Sequence, residues 1–199
     1  MEGRSHLLVG LTSAFVLDSF THITGEPLSM ASPVTHELLL KKGIFYAMVG
    51  LGSLLPDIDN AHSTLGHKLG WVSKTIQHVA GHRTLFHSLL GLALGFLIAL
   101  GLDQLVIYLL AQHGYVLSRG VVGGTHFVLI AVLFGCIMHI AADALTEGGV
   151  PLFWPYQKRY GLPANPHWRF RTGTWPEFVI VYGYIIVVAI CLWQSILVI

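Results

Sequence analysis

The chain has 199 residues, of which 54% are hydrophobic and only 11% charged, and its mean hydropathy is +0.68. Soluble globular domains carry roughly 25% charged residues, so this composition argues against a soluble enzyme, a disordered chain or a disulfide-rich secreted module. The formal charge of +1, from 11 Lys and Arg against 10 Asp and Glu, gives no electrostatic basis for binding nucleic acid. Cys136 and Cys191 lie in apolar runs and make no metal-spaced pair. The 12 histidines are the anomaly in so apolar a chain. The expected architecture is all-α: a polytopic membrane helical bundle of about 4–5 transmembrane helices with two long loops, forming a single membrane-embedded domain over residues 1–199.

A bilayer-spanning helix needs about 20 predominantly apolar residues. In chain order, Ser5–Leu17 is the weakest candidate, because Asp18 cuts its apolar run short. It reads as a short span, a re-entrant segment or an interfacial helix, and makes a poor signal peptide, with one basic residue and no small-residue cleavage site. Gly43–Pro56 becomes a span when extended back through Glu37–Lys42, whose lysines can snorkel. Thr84–Leu102 follows, its apolar character resuming beyond Asp103 as far as Ala111; then come Gly120–Ala142 and Phe178–Ile199. The glycines of the Thr84–Leu102 segment (Gly91, Gly95 and Gly101) read as sites of close helix packing. Two polar connections separate these spans: Asp57–Arg83, amphipathic around Leu65–Val79, and Glu147–Glu177, rich in Pro, Gly, Trp and Arg.

Basic residues orient a membrane chain toward the cytoplasm. With a cytoplasmic N-terminus and all five segments crossing, the inside holds Arg4, Lys68, Lys74, Arg83, Lys158, Arg159, Arg169 and Arg171, and the outside only Lys41, Lys42 and Arg119. Both long loops are then cytoplasmic. This topology carries distant polar residues to one membrane level. Leu55-Pro56-Asp57-Ile58-Asp59 ends the second segment there, and His82-Arg83 and His87-Ser88 begin the third. His139-Ile140-Ala141-Ala142-Asp143 ends the fourth, and His6 opens the first.

His139 and Asp143, at i and i+4, share a helix face. Imidazole nitrogen and carboxylate oxygen are ligands that zinc, manganese and iron accept. Pro56 ends its helix, so Asp57 and Asp59 are expected on a turn where both carboxylates can point one way. His82 and His87 are five residues apart, and a non-helical start to that segment would bring them together; His62, His67 and His78 could add ligands. His126 falls near the opposite end of its span and reads as a packing residue. Ionisable residues inside spans are costly and tend to be functional, which sets His139 and Asp143 apart.

These blocks resemble a known family. Gly52-Ser53-Leu54-Leu55-Pro56-Asp57-Ile58-Asp59, Gly81-His82-Arg83-Thr84-Leu85-Phe86-His87-Ser88-Leu89-Leu90 and the stretch from His139 to Pro155 look like successive signatures of the YdjM-like group of bacterial inner-membrane proteins. Arg4-Ser5-His6-Leu7-Leu8 matches the group's N-terminal start less fully, and Phe86 stands where many members have Thr. The resemblance covers about residues 1–160 and implies a membrane-bound metal-dependent hydrolase of the bacterial inner membrane. A more distant similarity to zinc-dependent phospholipase C and nuclease folds implies phosphoester chemistry.

The expected ligands are His6, Asp57, Asp59, His82, His87, His139 and Asp143, around one divalent ion (zinc first, with manganese or iron as alternatives) or around two. Arg83 is placed to bind an anionic group of the substrate, and Glu147 or a ligand aspartate to act as general base. Membrane lipids are the expected surroundings, and a lipid or phosphoester the expected substrate. Two other readings use the same residues: a metal transporter or metal-binding regulator, and a non-catalytic membrane interaction protein.

Overall fold

The computed structural model describes residues 1–25, 34–61, 63–80 and 85–197. His62, His82 and Arg83 lie outside the described residues. Seven α-helices form among those described: α1 (Gly3–Thr21), α2 (His36–Gly52), α3 (Thr64–Leu69), α4 (Trp71–Ala80), α5 (Leu89–Gln112), α6 (Arg119–Ala144) and α7 (Trp175–Leu197). No strand forms among them; Thr146–Phe170 and Val150–Tyr160 are isolated bridges.

The helices begin where short polar side chains satisfy the first backbone donors. Thr35, Ser88 and Ser118 accept from Leu38, Gly91 and Val121 N–H at the starts of α2, α5 and α6. The Ser88 cap puts the start of the third apolar segment at Leu89, five residues later than Thr84; Leu85–His87 form a 3-10 turn instead. Four stretches are long and apolar enough to cross a bilayer: His36–Asp59, Leu89–Gln112, Arg119–Ala144 and Trp175–Trp193. The first segment is helical from Gly3 to Thr21 but falls outside that set.

α6 is the hub of the bundle, packed against α1, α2 and α5, while α7 leans on α1. Its approach to α2 depends on two glycines. A Cβ at Gly52 would collide with the Val132 carbonyl of α6, and one at Gly135 with the Val49 carbonyl of α2. Small residues of this kind let membrane helices touch backbone to backbone. A small core of Ala14, Phe45, Val49 and Ala131 closes the α1–α2–α6 junction. In α5, Gly91 lies hard against the Leu85 carbonyl of the turn that leads into its own helix, and Gly95 and Gly101 face open space, so none of the three packs against a neighbouring helix as expected.

The amphipathic connection becomes α3 and α4, tied to the 3-10 turn Leu55–Asp59 by the Ser73 hydroxyl, which donates to Ile58 O at 2.7 Å. The second connection folds back over the same end of the bundle. Leu89 N–H donates to Leu152 O at 3.0 Å, and Leu162 N–H to Ala144 O at 2.8 Å. Within it Arg169 is 9% exposed and donates to the carbonyls of Gly161, Pro163 and Ala164. Its charge, counted above as a topology signal, braces the loop from inside.

Candidate metal centre

Three local devices point polar side chains at one spot. α2 ends at Gly52 with Ser53 as its cap, and the chain tightens into Leu55–Asp59. That turn has Pro56 at its start and buries Asp57 and Asp59 while Ile58 faces elsewhere. The 3-10 turn before α5 buries His87. The last turns of α6 bury His139, whose ring meets the Ser53 carbonyl at the end of α2, and Asp143, which faces His6 of α1. His6, in the first turns of α1, completes the set and is 1% exposed.

Side-chain atoms of His87, His139, Asp57 and Asp143 converge. His87 Nε2 is 3.2 Å from His139 Nε2, and 3.7 Å from both Asp57 Oδ1 and Asp143 Oδ2. His139 Nε2 is 3.8 Å from Asp57 Oδ1 and 4.0 Å from Asp143 Oδ2. Tetrahedral ligands about 2.0–2.1 Å from a zinc ion stand roughly 3.4 Å from one another. The observed spacings of 3.2–4.0 Å bracket that value.

The remaining neighbours orient these atoms. His139 Nδ1–H donates to Ser53 O at 2.8 Å, and because a carbonyl can only accept, the lone pair is left on the Nε2 that faces the cluster. His87 Nδ1 lies 3.5 Å from Asp59 Oδ2, the same arrangement with a carboxylate. Asp59 thus sits behind His87 while remaining within ligand reach of the Asp57–His87 pair. Burial alone would lower the pKa of His87, but the carboxylates of Asp57 and Asp59 outweigh it and hold it at about 9.

His6 stacks on His139 with ring centroids 3.6 Å apart. Neither of its ring nitrogens makes a hydrogen bond, although Nε2 stands 3.3 Å from Asp143 Oδ1. A fully buried imidazole without a hydrogen bond is costly, and a cation-binding role accounts for it. Three overlapping groups are compact enough to hold an ion: His6–Asp57–His139, His87–His139–Asp143 and Asp57–Asp59–His87. The donor set therefore fits a divalent metal. It has room for one ion, or for two bridged by carboxylates.

Six of the seven expected ligands thus come together; the seventh, His82, lies outside the described residues, as does Arg83. His67, His78 and His126 belong to none of these groups; His126 instead pairs with Asp103 at 3.4 Å. Glu147 is exposed just past the cluster, its backbone N–H donating to Phe170 O.

Two participants went unread in the sequence. The Met1 amino group bonds Asp143 Oδ1. Glu177 is fully buried and accepts from the backbone N–H groups of Glu2 and Gly173. Its place at the start of an apolar helix was the available signal, since a carboxylate there needs a reason.

The order of these blocks along the chain is also that of a known family: residues 1–198 match the family described as YdjM inner membrane protein. The chain belongs to that family. It is 40% identical over 113 residues to inner membrane protein YdjM of Escherichia coli strain K12, an alignment covering 57% of this chain and 50% of that protein. The Shigella flexneri protein of the same name gives the same figures. The chain thus spans about half the length of these curated YdjM relatives. Over 183 residues it is 26% identical to the uncharacterized protein YvsG of Bacillus subtilis strain 168, covering 92% of this chain and 89% of that one. No solved structure matches. Family membership and the four apolar helices together make this a membrane protein.

Proposed function

We propose that this member of the YdjM family is a membrane-bound metal-dependent hydrolase working at the cytoplasmic rim of the bacterial inner membrane on a phosphoester or lipid-type substrate. The observation that carries the reading is that the His87 and His139 Nε2 atoms lie within 4.0 Å of each other and of one oxygen each of Asp57 and Asp143, at one end of the spans. A divalent ion held there, zinc by preference and manganese or iron as alternatives, supplies Lewis acidity toward an ester and a nucleophile available near neutral pH.

The chain's own residues divide the remaining work. His87, His139, Asp57 and Asp143 hold the ion, with His6 beside them, and Asp59 and the Ser53 carbonyl fix the two imidazoles. Glu147, exposed a few residues past Asp143, would take a proton from the attacking group, and Arg83, next to His82 in the sequence, would bind the anionic part of the substrate. The names of the Escherichia coli and Shigella flexneri relatives support the inner membrane. The eight-to-three excess of basic residues supports cytoplasmic loops.

The transport reading is the weaker one. Transport sites lie near the bilayer midplane on broken helices, whereas Asp57 and Asp143 stand at the ends of the candidate spans His36–Asp59 and Arg119–Ala144. The test is metal content of the purified protein and of Asp143→Ala, followed by a hydrolysis screen over phosphoesters and lipids. Stoichiometric metal in the wild type, lost in the variant together with turnover, is expected. A wild type that holds no metal, or one that is metal-loaded and inert across the screen, overturns the hydrolase reading.

A further inference from the structure

Beside the metal cluster lies an apolar cavity of about 250 Å³, lined almost wholly by hydrocarbon, between α5, α6 and the two 3-10 turns. Residues of its wall are sequence neighbours of residues of the cluster. Pro56 and Ile58 line it while their neighbours Asp57 and Asp59 turn to the metal side. Phe86 lines it and His87, the next residue, faces the cluster; Cys136 lines it one helical turn before His139. From there it descends along α5 past Gly95 to Ala99. From Gly91 to Ala99 is about 12 Å at the helical rise, matching an alkyl chain of roughly eight to ten carbons. At Gly95 a Cβ would meet nothing within 4 Å, so the helix leaves a vacancy that no packing contact requires.

We infer that this cavity is a slot for one alkyl chain of a membrane amphiphile whose polar head reaches the His/Asp cluster. The inference rests on the hydrolase reading for the role of the head, and on the cavity alone for the chain. The occupant follows from the surroundings. The slot is almost wholly apolar, lies between two candidate spans, and is lined at one end by residues that are next in sequence to the ionisable ones of the cluster. A ligand filling both parts must be hydrocarbon along its length and polar at one end. Engineered apolar cavities of roughly 150 Å³ already stay dry and take benzene, so a larger one is well suited to hydrocarbon.

The probe is decyl phosphate carrying a terminal diazirine, photolysed with the full-length protein in nanodiscs and mapped by mass spectrometry. Insertion is expected within residues 92–99 of α5 and 129–136 of α6, competed by decyl phosphate but not by inorganic phosphate. Gly95→Phe, which fills the vacancy, is expected to cut labelling at least tenfold while metal content stays at the wild-type level. Ala99→Phe, which closes only the deep end, should reject the ten-carbon probe and still accept a six-carbon one. Labelling spread over the lipid-facing surface, uncompeted or unchanged in both variants, overturns the slot. Metal content separates the two proposals. Metal-loaded protein with scattered labelling overturns the slot alone, whereas metal-free protein with competed labelling supports the slot and overturns the hydrolase.

Discussion

At one end of the bundle Asp18 is 5% exposed, and its side-chain hydrogen-bond partners among the described residues are all donors. The backbone and hydroxyl of Thr24 donate to it at 3.0 and 2.6 Å, the Lys42 ammonium at 2.9 Å and the Tyr46 hydroxyl at 3.2 Å. At the other end Asp57, Asp59 and Asp143 are also buried, but crowd against three imidazoles, with Asp57 and Asp59 close to one another as well. The first arrangement is closed: a carboxylate with fixed donors has nothing left to bind. The second gathers lone pairs: beside the Met1 amino group that meets Asp143, neither ring nitrogen of His6 makes a hydrogen bond. Buried charge is no guide to function by itself; what matters is whether its partners are donors or further acceptors.

The sharpest way to break that contrast is to remove one acidic group from each end. In Asp143→Ala or His139→Ala, bound metal should fall from stoichiometric to background, as read by elemental analysis. Saturating metal at a hundred times its Kd should stabilise the wild type by about 2.7 kcal/mol and these variants not at all. Asp18→Ala should do the reverse, leaving metal content per folded molecule unchanged while destabilising the protein by about 3 kcal/mol, the cost of stranding a largely buried Lys42. A thermal unfolding series with and without metal reads both. Equal behaviour of the two ends would erase the distinction.

Gly135→Ala tests how the open end is assembled. Its methyl must push α2 from α6, so stability should fall by about 1–3 kcal/mol, with weaker metal binding because His139 and Asp57 ride on opposite sides of that contact. Normal metal affinity in a destabilised Gly135→Ala would show that the cluster does not depend on the glycine crossing. The smallest effect is expected at His126, 42% exposed beside Asp103. His126→Ala should keep its metal and shift stability by less than about 0.5 kcal/mol; loss of metal there would place a ligand far from the cluster.

Much of the centre was legible because its residues sit at chain positions with strong local grammar. Pro56 announces a turn, so Asp57 and Asp59 could be read as sharing a direction. The i, i+4 spacing of His139 and Asp143 declares a face. The apolar runs set the four spans. What local grammar cannot carry is compensation from afar. Asp18 looked like the end of the first segment, yet the helix continues to Thr21 because Lys42 and Tyr46 of α2 meet that charge. Thr84 looked like the start of the third, yet Ser88 is the residue that caps a helix. Arg169 looked like a surface cation, and three loop carbonyls 5–8 residues upstream in sequence enclose it.

Glu177 has a consequence that reaches beyond its own hydrogen bonds. By accepting the Glu2 N–H it anchors the entry of α1 to the first turn of α7, while the His6 ring, four residues further on, stands 3.3 Å from Asp143 on α6. The stretch between is consequently a gauge of fixed length. One residue inserted into it would swing the imidazole by roughly 100° about the helix axis. α7, none of whose described residues belongs to the candidate ligand groups, thereby sets the phase at which the first helix presents its imidazole.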